Sequence, residues 1–104
     1  MIIQYNTDKT ISGEERNQDY FTSLIAEELI RYQSDITRVE VHISDENGKK
    51  DAINGIRCLM EARLEGKKPI AVSCQEHNVE LAVSGAIAKI KASLETILGR
   101  DNKH

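Results

Sequence analysis

The segment Ile36-Thr-Arg-Val-Glu-Val-His-Ile43 alternates apolar and polar side chains with a period of two. A helix cannot satisfy that period, because its one-sided neighbours lie three and four residues apart. The segment therefore makes a half-buried strand, with Val39, Val41 and Ile43 on one face and Arg38, Glu40 and His42 on the other. Two more alternating runs follow. Cys58, Met60, Ala62 and Leu64 oppose Arg57, Leu59, Glu61, Arg63 and Glu65, and then come Ile70, Val72 and Cys74. The polar loop DENGKKDAING and the turn Gly66-Lys-Lys-Pro69 separate them, so residues 36–75 read as an antiparallel meander.

Helical spacing flanks the meander on both sides. Residues 2–6 form a short first strand with Ile3 and Tyr5 inward, and Ser12-Gly-Glu-Glu15 matches a capping box. Phe21, Leu24, Ile25, Leu29 and Tyr32 then mark one stripe of a helix over about 13–34. A second helix over about 78–98 carries Val79, Val83, Ile87, Ile90, Leu94 and Leu98, with Gly85 inside it set for close approach to the sheet. Gly99 reads as its C-cap, and 100–104 as a fraying tail. The order is βαβββα, an α+β two-layer sandwich whose helices cover one sheet face and leave the other open.

Composition narrows the function. The chain has 104 residues and a net charge of −3, enough for one domain with a modest core. All of that net charge sits in 13–34, where Glu14, Glu15, Asp19, Glu27 and Glu28 outnumber Arg16 and Arg31. No block of positive charge marks a general nucleic-acid binder. No apolar run reaches the roughly 20 residues of a membrane span, and the N-terminus does not read as a signal peptide, which points to the cytoplasm.

The chemistry-bearing residues form no catalytic pattern. His42, His77 and His104 are dispersed, and no nucleophile elbow, phosphate loop or zinc-protease motif is present. An open sheet face gives His42, Glu40 and Glu61 no pocket in which to shift their acidity. The three-residue turn Gly66–Lys68 puts Met60 opposite Cys74, leaving Cys58 out of disulfide reach, so both cysteines read as small buried hydrophobes. Their spacing is no zinc signature, and Asp45-Glu-Asn-Gly48 with Asp51 lacks the spacing of a calcium loop. Charge complementarity favours a register with Arg38 opposite Glu65, Glu40 opposite Arg63 and His42 opposite Glu61.

The wording of three segments says more than their spacing. ITRVEVHISDENG, RCLMEARLEGKKPIAVSC and the helix ELAVSGAIAKIKASLE, with its A-x-x-G-x-x-x-K-I pattern, resemble the ribosome hibernation-promoting factor and ribosome-associated inhibitor A family. The resemblance runs from the first strand to about Gly99 and is to the short form, one domain over 1–104. It implies a cytoplasmic protein that binds rRNA of the small ribosomal subunit along the messenger and transfer RNA channel and silences translation under stress. No enzymatic activity, cofactor, metal or small-molecule substrate is implied.

Such binding depends on cations converging on phosphates. Lys89 stands at the lysine of the family pattern, Lys91 and Arg100 lie near basic positions that follow it, and Arg38, Arg57, Arg63, Lys67 and Lys68 offer cations on the sheet and its turn. The chain departs from the family in its first helix, where Glu27 and Glu28 stand in place of lysines. A second reading is a protein–protein module that kept the fold and lost the RNA surface, docking a partner on the acidic helix or a second copy through a strand edge. A continuous positive groove favours the first reading, and bases scattered among acids favour the second.

Overall fold

The computed structural model describes residues 1–8, 11, 14–46 and 55–101, with the backbone alone for 14–17, 100 and 101. Ser12 and Gly13 of the expected capping box, the would-be calcium loop after Glu46 and the tail from 102 onward lie outside the described residues, as does the side chain of Arg100. Strand β1 (Ile2–Thr7) leads to helix α1 (Glu14–Glu28) and a 3₁₀ turn (Ile30–Tyr32). Strands β2 (Ile36–Asp45), β3 (Ile56–Leu64) and β4 (Ile70–Glu76) follow, and helix α2 (Val79–Asp101) closes the order βαβββα.

The four strands form one sheet in the order β1-β2-β3-β4, with β1 parallel to β2 and the other pairs antiparallel. Helix α1 lies over β1, and α2 lies over β3 and β4, on the same side. Val39, Val41, Ile43, Cys58, Met60 and Ala62 are buried beneath them, as the alternation requires. Ile36 breaks that parity yet is buried, and a register irregularity between Ile36 and Arg38 accounts for it. The extra residue, Thr37, turns outward and its hydroxyl donates to the Arg63 carbonyl at 3.1 Å.

The register departs from the one charge pairing favours. Arg38 faces Arg63, Glu40 faces Glu61, and His42 faces Leu59. Cys58 faces Cys74 directly, and Met60 faces Val72. The β3–β4 turn is the cause of the second correction. Gly66 takes a left-handed φ of +73° and the Lys67 amide donates back to the Leu64 carbonyl at 3.4 Å, so the reversal closes one step earlier than a Gly66–Lys68 loop would. Lys68 and Pro69 then lead into β4, and Pro69 has no N–H to give the ladder.

Both helices end differently from their patterns. The first stops at Glu28 and tightens, with the amides of Tyr32, Gln33 and Asp35 donating to the carbonyls of Leu29, Ile30 and Tyr32, each three residues back. That tightening carries Tyr32 into the core while Ile30 stays exposed. Asn78 caps the start of helix α2, its Oδ1 accepting from the Leu81 amide at 2.8 Å. It runs through Gly99 to Asp101, so Gly99 is no C-cap; its φ is not positive, and buried Leu98 keeps the last turn on the core. Gly85 does meet the sheet, where a Cβ would collide with Cys74 Sγ.

Candidate nucleic-acid interface

The open face presents rows of side chains set by the register. Asn6, His42, Leu59 and Ser73 form one row; Gln4, Glu40, Glu61 and Ala71 form the next; Ile2, Arg38 and Arg63 form a third. Like charges face each other in the second and third rows, and the long side chains repair this along each strand and once diagonally across them. Arg63 Nε lies 3.2 Å from Glu61 Oε1, and its Nη2 lies 3.6 Å from Glu40 Oε2. Arg38 Nη1 lies 3.4 Å from the same Glu40 oxygen. Diagonal neighbours on a sheet are within reach of a guanidinium, so two arginines and two glutamates form one self-neutral patch.

The structure separates the sequence-predicted cations. Arg38, Arg63, Lys67 and Lys68 share the end of the sheet where β2 begins and β3 turns into β4. Arg57 is at the opposite end, 3.8 Å from Glu46. Lys89 reaches over the outer edge of β4 and donates to the Ser73 carbonyl at 2.7 Å. Lys91 lies on the helical layer, 3.1 Å from Glu28 at the end of α1. Lys89 and Lys91 therefore face different sides of α2, and no continuous positive groove joins them to the sheet arginines among the described residues. The Asp19, Glu27 and Glu28 side chains are exposed on α1.

Sequence reasoning missed what Lys89 and Lys91 hold, because each partner is distant in the chain. It also missed a hollow of about 210 Å³ in the open face, lined by Asn6, Glu40, His42, Leu59, Glu61 and Ala71. A second hollow of about 240 Å³ lies between the helices, bounded by Leu24, Glu28, Ser84 and Ile87. The two cysteines face each other in the core, and burial together with Cys74 pushes the Cys58 thiol up to about 12. A thiol so held stays protonated and unreactive at neutral pH. Tyr32 donates to Glu95 Oε2 at 2.6 Å, and that bond, with burial, raises its pKa. Among the described residues, no group of three or more His, Cys, Asp or Glu is placed to hold a metal, and no helix is long and apolar enough to cross a membrane.

Solved structures share this fold. The N-terminal domain of Protein Y from Thermus thermophilus superposes with a TM-score of 0.72 at 18% identity, covering 93% of this chain and 99% of that one. A ribosomal subunit interface protein from Coxiella burnetii superposes with a TM-score of 0.68 at 16% identity, covering 95% and 99%. Both are structures of the hibernation-promoting factor family that the sequence resembles, and at these identities the likeness is one of fold. No family model and no curated protein matches the chain by sequence.

Proposed function

We propose that this chain is a non-enzymatic, cytoplasmic ribosome-associated factor that binds rRNA of the small subunit and silences translation. The observation that carries the reading is the near-complete mutual coverage with a ribosomal subunit interface protein, a match of whole domain to whole chain. The cations best placed for phosphates are Arg38, Arg63, Lys67 and Lys68, at one end of the sheet. Cosedimentation with ribosomes over a salt series tests this. Binding should weaken steeply between about 50 and 200 mM salt, and replacing these four cations with alanine should lower the salt slope by about one for each phosphate no longer neutralised. Absence of comigration at low salt overturns the reading. In vitro translation with added protein then reads silencing directly.

The pairing of Arg57 and Lys91 with acids, and of Lys89 with a backbone carbonyl, favours a second reading, a protein-interaction module of the same fold. In that reading the exposed Asp19, Glu27 and Glu28 face a basic protein partner, or a strand edge pairs with a second copy. A pull-down partner retained in high salt and without RNA would support it over the first.

A further inference from the structure

The hollow of the open face is built from two adjacent rows of the register. Ala71 on β4 is small and leaves room above Glu61 and beside Leu59. Leu59 is 41% exposed among polar neighbours, His42 across one strand and Ser73 across the other. Leu59 gives the hollow an apolar surface against which a flat ring can lie. At about 210 Å³ the space is below the roughly 300–1,000 Å³ of pockets that enclose drug-sized molecules, so it suits a single ring system.

Its polar rim is made mostly of acceptors. Arg63 holds Glu61 through Oε1 and Glu40 through Oε2, which fixes both carboxylates side by side and leaves Glu61 Oε2 and Glu40 Oε1 to accept from a ligand. Carboxylates accept and never donate, so a ligand seated here must present donors. A further cation gains little, because Arg38 and Arg63 already neutralise both glutamates. A neutral planar ring with amino hydrogens gains hydrogen bonds and covers Leu59.

Resting on the ribosome-binding reading above, we propose that this hollow takes an unpaired RNA base bearing an exocyclic amino group, guanine above all. Guanine places its N1–H and N2–H₂ donors next to one another, matching a carboxylate; uracil offers a single N–H between two carbonyls. Leu59 lies against the ring, and Glu40 and Glu61 accept from the amino edge. The Arg38–Arg63 row lies two residues beyond the two glutamates along the strands, about 6.5 Å further from Leu59, and holds their carboxylates in place. Recognition of splayed, unpaired bases on their Watson–Crick edges is the usual route to sequence preference in RNA.

The test is an amide NMR titration of the full chain with guanosine 5′-monophosphate, uridine 5′-monophosphate, inorganic phosphate and methylguanidinium. The guanine nucleotide should shift Asn6, His42, Leu59 and Ala71, and the uridine nucleotide should bind about tenfold more weakly, the value of one net hydrogen bond. Inorganic phosphate should leave the hollow unshifted. Ala71→Arg and Leu59→Ser should abolish the guanine response in a chain whose remaining spectrum is unchanged, and Glu61→Gln should narrow the guanine-to-uracil ratio. Equal responses to both nucleotides, no response, or a guanine response that survives Ala71→Arg overturns the proposal. So does a stronger shift of the same residues by methylguanidinium, which would make the hollow a socket for a protein's arginine. A chain that cosediments with ribosomes without a base-dependent shift overturns this inference alone. A hollow that takes guanine in a chain that never cosediments overturns the ribosome reading alone.

Discussion

On the covered side of the sheet, Val39, Ile43, Cys58, Met60 and Ala62 are shielded almost completely by two helices, and each packs against neighbours it cannot leave. On the open side, Arg38 faces Arg63 and Glu40 faces Glu61 with their side chains a third to a half exposed. The difference shows which force sets the register. Burying one large apolar side chain is worth about 1.5–3 kcal/mol, whereas a favourable cross-strand pair contributes about 0.2–1 kcal/mol. The covered face decides which side of each strand turns inward, the Gly66 turn aligns β3 with β4, and the open face adapts by ion pairs along and across the strands. A surface relieved of structural duty in this way is free to serve binding.

Substitutions can break that comparison, and the largest effect belongs to the covered face. Met60→Ala, at a fully buried site, should cost about 2–5 kcal/mol in urea unfolding. A loss below about 1 kcal/mol would mean that the core can collapse around the gap. Gly85→Ala comes next. Overpacking against Cys74 costs about 1–3 kcal/mol, offset by up to about 1 kcal/mol of helix propensity, and the loss should shrink in a Cys74→Ala background, which removes the colliding sulfur and leaves only the Cβ contact.

Alkaline titration sharpens the contrast without touching the open face. Folding holds Cys58 protonated up to about 12 against 9.0 in an unfolded thiol, and it raises Tyr32 as well. For groups raised by folding, the stabilisation is full below the unfolded value and declines as pH climbs through the folded one. The urea midpoint should therefore fall from about pH 9 upward, and less steeply in Cys58→Ala. The smallest stability effect is expected on the open face, where Glu61→Gln and Arg63→Ala should each stay within about 1 kcal/mol. A larger loss would show that this ion-pair network carries the register after all.

Much of the fold was legible because its signals are local. Periods of two and 3.6 announced strands and helices, and Gly85 announced close approach through its cost to a helix. The register was less legible, since charge complementarity is a weak force and Gly66 closed the turn a step early. The site was least legible of all. Lys89 and Lys91 sit two positions apart, yet one holds the Ser73 carbonyl on the edge strand and the other holds Glu28 on the far helix.

The sequence by itself determined the βαβββα order, the inward face of every strand and the openness of the opposite face. Apolar alternation suffices for these, because burial acts on each segment separately. Only the tertiary structure decided which residues across the sheet are neighbours: Cys58 with Cys74, Arg38 with Arg63, and Glu40 with Glu61 beside Leu59. The Cys58–Cys74 pairing follows from a single left-handed glycine at residue 66, and a bulge at Thr37 brings Ile36 back to the core side beside the Arg38–Arg63 pair. Moving the Gly66 turn by one residue shifts the β3–β4 register by two, which redistributes the open face while leaving the core pattern readable in the sequence, because each strand's period is the same in every register of equal parity.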